Sequence, residues 1–190
     1  EVVLDFGQNH AGLFEFYNRE PKGTVIKLEA GEHMIDGNFY RENLRQARAA
    51  FEFISDGVER WIRPHFTYFG YRYVRVSGNT LPINPDDFKS GVLYSDMTFT
   101  GSIETENEKV NRLFENVKWG QKSNFVDVPT DCPQRDERLG WTGDANVFSN
   151  TAALNANVYQ FFRKFAKDMA VEQSVLKGMT PMYVPSFGNT

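Results

Sequence analysis

The hydrophobic pattern of the chain changes its period once, near residue 100, and this change limits the fold more than any other feature. Before it, short runs alternate between apolar and polar residues, as in residues 24–29, and turn residues such as Pro21 and Gly23 separate the runs. After it, apolar residues recur at helical spacing, most clearly in Val158, Phe161, Phe162, Phe165 and Met169. The pattern therefore predicts a β half followed by an α half.

The β half is expected to form an antiparallel sandwich, because it consists of many short strand-like runs with regular turns. In its strongest run, residues 66–76, alternation places Tyr71 and Tyr73 on one side and Val74 and Val76 on the other. A linker rich in Asn, Pro and Asp follows at residues 79–87.

Three helices are predicted in the α half. Thr105 and Glu108 form a capping-box pattern, which predicts a helix over residues 106–121. A second helix is expected to begin near Asp144, and its apolar face would consist of Val147, Phe148, Thr151 and Leu154. The third begins near Asn157 and carries the stripe from Val158 to Met169. We interpret these stripes as core.

Composition excludes several classes of function. The 190 residues carry a formal net charge of -4, which gives no electrostatic footprint for nucleic acid. No apolar run reaches the roughly 18 residues of a membrane span. Cys132 is the only cysteine, and the three histidines are too scattered to suggest a zinc site, so we expect no metal. Glycine-rich phosphate loops are absent, and we expect no cofactor. The composition is compatible with a homo-oligomer.

The chemically richest segment is residues 124–144, between the first two helices. Two prolines and two glycines make a continuous helix improbable there, so a long ordered loop is expected. It is crowded with charged side chains, namely Asp127, Asp131, Arg135, Asp136, Glu137, Arg138 and Asp144. In one interpretation, Asp131 and Asp144 cap neighbouring helices while Arg135 and Arg138 form ion pairs. In the other, carboxylates and arginine bind the hydroxyl groups of a sugar while Trp141 packs on its ring. A calcium site is a third reading, but the spacing does not match the EF-hand loop.

The same segment resembles a known family. Residues 127–144 read DVPTDCPQRDERLGWTGD and closely resemble the active-site signature of the bacterial α-L-rhamnosidases, which are inverting glycoside hydrolases. Residues 4–9, LDFGQN, and 63–74, RPHFTYFGYRYV, resemble the β-sandwich domain that precedes the catalytic domain in that family. The resemblance implies an antiparallel β-sandwich with linker in residues 1–100 and the first helices of an (α/α)6 toroid in residues 101–190. It also implies that the chain is a fragment, incomplete at both ends.

The resemblance assigns roles to individual residues. It makes Glu137 the general acid that protonates the departing glycosidic oxygen, with Asp136 as the rival for that role. Contacts with the hydroxyls of rhamnose fall on Asp131, Arg135 and Asp144, and Trp141 helps to wall the sugar pocket. The expected ligand is a rhamnose-containing oligosaccharide or glycoside.

Inversion requires a second carboxylate that activates water. No residue after Asp144 matches the base of the family, so the base is expected outside these residues and the chain alone is expected to be inactive. An alternative of another class is a non-catalytic carbohydrate-binding or structural module, in which exposed aromatics such as Tyr71 or Tyr73 bind the sugar. Residues 179–187 either line the sugar cavity or connect elements, and we assign no site there.

Overall fold

The computed structural model describes residues 1–186, and the chain divides into two compact units. The β unit comprises Glu1–Leu93 together with the short segment Pro133–Asp136. The helical unit comprises Tyr94–Cys132 and the residues from Glu137 onward. The order of an antiparallel β part followed by helices is therefore confirmed. Within residues 1–186, no helix combines the length and the apolar character that crossing a bilayer requires.

Six strands of the β unit form one antiparallel sheet, in the order β5-β2-β7-β1-β6, with β8 also paired to β1. Two further strands, β3 and β4, form a separate hairpin. The strands are β1 (Val2–Asn18), β2 (Val25–Gly31), β3 (His33–Ile35), β4 (Asn38–Tyr40), β5 (Ala50–Ile54), β6 (Arg60–Ile62), β7 (Phe69–Ser77) and β8 (Phe88–Val92). A short 3-10 helix at Glu42–Leu44 lies between β4 and β5, and another at Pro85–Asp87 lies between β7 and β8.

An irregularity in the pairing of β1 with β7 changes which side chains are buried. The register shifts between Asp5 and His10, where Gly7, at a φ of 81°, supplies left-handed backbone. As a result Tyr71 and Val74 are both fully buried in the same core, although strict alternation would place them on opposite faces. The predicted alternation is therefore wrong at Tyr71. A side chain with no exposed surface is also unable to serve as the exposed aromatic of the alternative module.

Aromatic side chains fill the core of the β unit. Phe14 stacks on Phe69 with ring centroids 4.8 Å apart, and it meets Tyr71 edge-on at 5.5 Å. Leu28 and Val76 close the same cluster and are 0% exposed. Burial of each such side chain stabilises the fold by about 1.5 to 3 kcal/mol.

A buried histidine lies at the edge of this core. His10 is 4% exposed, and its ring nitrogens contact the carbonyl oxygen of Gln8 at 2.8 Å and Oγ of Ser90 at 2.7 Å. The hydroxyl of Tyr71 is hydrogen-bonded to the same Oγ of Ser90 at 2.7 Å. Burial disfavours the charged imidazolium, so the pKa of His10 is lowered, although the contact with Gln8 opposes the change.

Within residues 1–186, the helical unit contains three helices and four two-residue strands. The helices are α1 (Glu108–Asn124), α2 (Thr142–Asn155) and α3 (Tyr159–Val175), and the strands are β9 (Phe125–Val126), β10 (Val128–Pro129), β11 (Gly140–Trp141) and β12 (Tyr183–Val184). The N-cap of α1 is Asn107, whose side chain accepts from the amide of Lys109, and not Thr105 as the capping-box pattern predicts. The Oγ1 of Thr105 instead donates to the side chain of Asn111 at 2.9 Å.

The apolar stripe of α3 packs as its spacing predicts. Val158, Phe161 and Phe165 are 5%, 8% and 2% exposed. Phe161 stacks on Phe125 with centroids 4.3 Å apart, so α3 contacts the residue that directly follows α1. The spacing therefore located the core of this unit correctly.

The predicted apolar face of α2 is correct at Phe148, which packs edge-on against Phe125, but it is wrong at the other predicted apolar positions. Val147 and Leu154 are 81% and 77% exposed, whereas the small residues Ala145 and Ala152 are buried. Close approach to α1 explains the difference, because the buried amide of Gln121 donates to the carbonyl oxygen of Ala152 at 3.3 Å. Large side chains on this face of α2 would prevent that hydrogen bond.

Candidate active site

The loop between α1 and α2 begins with a tight hairpin of β9 and β10. Asp127 occupies its turn at a φ of 66° and donates its amide to Oγ of Ser95 at 2.8 Å. The carboxylate of Asp127 accepts from Nζ of Lys164 at 2.9 Å. Asp127 is therefore part of the structural support of the loop, through an ion pair with Lys164 that the sequence did not indicate.

Two hydrogen bonds between Asp131 and Leu139, which we call the bracket, close the next part of the loop. The amide of Asp131 donates to the carbonyl oxygen of Leu139 at 3.3 Å, and the amide of Leu139 donates to Oδ1 of Asp131 at 3.1 Å. Arg138, just before the bracket closes, has a φ of 37°, a conformation that costs a non-glycine residue energy and often occurs at functional sites. The bracket fixes both ends of the segment that carries Glu137.

Three potential ligand groups converge inside the bracket. A carboxylate oxygen of Asp131, Sγ of Cys132 and a carboxylate oxygen of Glu137 all lie within 4.8 Å of one another. Cys132 is buried, and the two acidic residues are half-buried. The sequence indicated Asp131 and Glu137 as site residues, but it assigned no role to Cys132.

This group of atoms has the size and composition to hold one cation, since zinc accepts thiolate and carboxylate ligands. A cation on Glu137 would occupy the oxygen that a general acid needs for its proton. The two roles therefore exclude each other at this carboxylate. The expectation of no metal site stays a prediction.

A cavity of about 590 Å³ opens beside the bracket and brings two of the expected sugar-binding residues together. Asp131 and Asp144 both line it, and Phe125, Val147 and Phe148 supply apolar wall. Asp144 lies in the first turn of α2, where the helix dipole favours a negative charge. The cavity therefore combines carboxylates with apolar surface, the combination that a sugar ring requires.

Asn124 lines the same cavity and was not expected from the sequence. Its side-chain amide donates to the carbonyl oxygen of Gly120 at 2.8 Å. Its Oδ1 is buried and finds no hydrogen-bond partner among residues 1–186. A buried acceptor of this kind is costly unless a ligand or water satisfies it.

Trp141 is held by a strand pair. Gly140 and Trp141 pair with Val184 and Tyr183, and the rings of Trp141 and Tyr183 lie 5.3 Å apart. The Nε1 of Trp141 is buried and has no hydrogen-bond partner in the described part of the chain. The tail therefore contributes Tyr183 to the surroundings of Trp141; of the tail segment 179–187, Phe187 lies outside the described residues.

Arg135 and Asp136 lie in Pro133–Asp136, the part of the loop that packs with the β unit, whereas Glu137 belongs to the helical unit. Asp136 is exposed and Arg135 is half-buried. The five expected site residues are thus divided. Asp131 lies within 4.8 Å of Glu137 and also lines the cavity together with Asp144. Trp141 packs against Tyr183.

Two family models match the chain. Residues 1–94 match the model described as the bacterial alpha-L-rhamnosidase concanavalin-like domain. Residues 98–190 match the model described as the bacterial alpha-L-rhamnosidase 6 hairpin glycosidase domain. The two matches follow each other along the chain without overlap.

Individual proteins are similar over nearly the whole chain. An α-L-rhamnosidase of Alteromonas sp. (strain LOR) is 39% identical over 189 residues, which cover 97% of this chain and 20% of that protein. The crystal structure of the native α-L-rhamnosidase from Aspergillus terreus is 40% identical, with a TM-score of 0.93 over 98% of this chain and 22% of that chain. The Streptomyces avermitilis α-L-rhamnosidase complexed with L-rhamnose is 38% identical, with a TM-score of 0.92 over 98% of this chain and 18% of that chain. The chain thus spans about a fifth of the length of the curated relatives it matches.

Proposed function

The chain belongs to the bacterial α-L-rhamnosidase family, and from this premise we propose that it is part of an enzyme that hydrolyses terminal α-L-rhamnosyl residues with inversion. A rhamnose-containing oligosaccharide or glycoside is the substrate. Residues 1–100 form the β domain with its linker, and the helical catalytic domain begins at residue 101. The gap between the two family matches, residues 95–97, supports a boundary in this region.

We assign the general acid to Glu137. The observation that carries this assignment is the convergence of Glu137 and Asp131 within 4.8 Å inside the bracketed loop. Protonation of the glycosidic oxygen requires a carboxyl group held beside it, and Glu137 lies on the segment whose two ends the bracket holds.

Asp131 is assigned to substrate binding and not to the general base. Inverting enzymes keep their two carboxyl groups about 6.5 to 9.5 Å apart to leave room for water, whereas retaining enzymes keep them about 5 to 5.5 Å apart. Oxygen atoms within 4.8 Å leave no room for an attacking water between Asp131 and Glu137. Asp144 and Arg135 hold further sugar hydroxyls, and Trp141 walls the pocket, where its buried Nε1 has no hydrogen-bond partner within residues 1–186.

The stereochemistry tests the assignment of Asp131. Proton NMR of the first product released by the full-length enzyme from an aryl α-L-rhamnoside should show β-L-rhamnose before mutarotation. Release of the α anomer would make Asp131 a candidate nucleophile and would reject the inverting mechanism.

The acid is tested by Glu137→Gln in the full-length enzyme, with Asp136→Asn as the matched control. Glu137→Gln should lower kcat about 10²- to 10⁴-fold for a substrate with a poor leaving group, because the departing oxygen then leaves without a proton. Asp136 is exposed, and its substitution should leave kcat within a few-fold of the wild type. Normal turnover by Glu137→Gln, or an equal loss in Asp136→Asn, would show that the acid is another residue.

A further inference from the structure

Gly70 of β7 lies in unusually close contact with the loop segment Pro133–Asp136. A Cβ atom built on Gly70 would lie 2.8 Å from Cβ of Gln134, 2.8 Å from the carbonyl carbon of Pro133 and 2.9 Å from Cα of Gln134. Real Cβ atoms do not approach other atoms this closely, and two of these three atoms belong to the backbone. Rotation of a side chain therefore does not relieve the clash, and any larger residue at position 70 displaces the loop or the strand.

Space, and not backbone conformation, explains the need for glycine here. Gly70 is not among the glycines with positive φ in this chain. Glycine within a strand typically marks a site where another backbone approaches closely. At Gly70 the approaching backbone is that of the loop.

The strand beneath the loop is fixed in place. β7 is an interior strand of the sheet between β2 and β1, and Gly70 pairs with Ala11. Its neighbours Phe69 and Tyr71 are 8% and 0% exposed, and both belong to the aromatic core. A close-packed core resists displacement, so β7 acts as a rigid platform.

The loop segment that packs on β7 lies next to the proposed acid in the chain. Pro133–Asp136 leads directly into Glu137, and the bracket between Asp131 and Leu139 closes around both. We propose that Gly70 is a positioning residue for the general acid, because it lets the backbone of Pro133 and Gln134 lie against β7 and so fixes where Glu137 emerges. This inference rests on the proposed role of Glu137 and gives Gly70 an indirect part in catalysis, through the segment Pro133–Asp136.

The test is Gly70→Ala in the full-length enzyme, assayed with two substrates. An alkyl α-L-rhamnoside needs its leaving oxygen protonated, whereas 2,4-dinitrophenyl α-L-rhamnoside releases a stable anion without help. A displacement of about 1 Å costs catalysis on the order of 10²-fold. Gly70→Ala should therefore lower kcat about 10- to 100-fold for the alkyl substrate and less than about 3-fold for the dinitrophenyl substrate, with KM little changed for either.

The matched control is Gly31→Ala in β2 of the same sheet. A Cβ there would meet ring atoms of Phe39 at 2.7 Å, in the β3-β4 hairpin and away from the loop. Gly31→Ala should lower the melting temperature and leave the kcat values of both substrates unchanged. A Gly70→Ala enzyme that behaves in the same way, or that loses kcat equally on both substrates, would overturn the proposal.

Two further variants separate the possible failures. Glu137→Gln assayed on both substrates tests the acid itself: if its loss does not depend on the leaving group, the proposed function fails. If Glu137→Gln shows that dependence and Gly70→Ala does not, only the positioning role fails. Should Gly70→Ala not fold, Gln134→Gly loosens the loop without crowding the sheet, and it should give the same leaving-group dependence at smaller size; a loss equal on both substrates would reject the proposal.

Discussion

The β unit encloses a continuous aromatic core although it also exposes scattered apolar side chains, whereas each helix of the helical unit carries large apolar side chains in solvent. Phe14 and Tyr71 are 0% exposed in the sheet, but Leu113, Val147 and Val175 are 62%, 81% and 75% exposed on α1, α2 and α3. Both units are built from periodic apolar patterns. The period of a pattern thus identifies the apolar face of a helix or strand. It does not determine whether other side chains among residues 1–186 pack on that face.

The helical unit itself contains both buried and exposed apolar residues. The stripe of α3 is covered by Phe125 and its neighbours, while Leu113, Val147 and Val175 lie in solvent. The experiments on core burial and on dye binding compare residues of the β unit with residues of the helical unit, and the pH experiment compares a buried with an exposed histidine of the β unit.

The largest expected effect is that of Phe14→Ala. Removal of a fully buried ring from the centre of the aromatic cluster should lower the free energy of unfolding by about 3 to 5 kcal/mol. Leu113→Ala on α1 should change it by less than about 0.5 kcal/mol, since this side chain is exposed and alanine favours helix. Urea unfolding followed by circular dichroism measures both. Equal effects would show that the contrast in burial between the units does not reflect their energetics.

A pH-dependent effect should arise only in the β unit, because all three histidines precede residue 94. The pKa of His10 is lowered by burial, so the unfolded chain takes up a proton at a higher pH than the folded chain does. Stability is therefore complete above the unfolded value of about 6.5 and falls as the pH decreases from 7.5 to 5.5. The carboxyl groups of Glu20 and Glu29 have lowered pKa values and titrate below this window.

The measurement is the urea midpoint at the two pH values. His10→Gln should reduce the difference between the midpoints, whereas His65→Gln, at an exposed position, should leave it as in the wild type. If both variants keep the full difference, its source lies in another group.

The smallest effect on stability is expected for the exposed face of α2. The double variant Val147→Lys with Leu154→Glu should change the unfolding free energy of the 190-residue chain by no more than about 0.5 kcal/mol. Binding of a hydrophobic dye should nevertheless decrease, because two large apolar side chains leave the surface. Val25→Lys with Ile54→Glu, a cross-strand pair that is 49% and 67% exposed, is the matched change in the β unit. A larger decrease in dye binding from the β-unit pair would contradict the contrast.

Spacing predicted the elements whose own side chains form the core. The stripe from Val158 to Phe165 and the helix that begins near residue 106 were both evident, because a period of 3.6 is a local property of the sequence. The buried face of α2 was not evident from spacing, because small residues such as Ala152 are buried there through contact with α1. A local pattern does not contain the identity of the neighbouring helix.

The site was predictable to a similar extent. The loop and its charged residues were evident from prolines, glycines and the family resemblance. The bracket was not, because it depends on the backbone of Leu139 and on the left-handed conformation of Arg138. The contact between Gly70 and Gln134 has no local signature either, because the two residues are far apart in the sequence.

The pairing of β11 with β12 has a consequence for the synthesis of the protein. Val184 follows its partner Gly140 by about 44 residues. At a translation rate of roughly 5 to 20 residues per second, the strand that carries Trp141 waits about 2 to 9 s for its partner. During that interval its edge can pair with another nascent chain. Slower translation lengthens the interval, so the yield of correctly folded protein should depend on how quickly the ribosome passes this stretch.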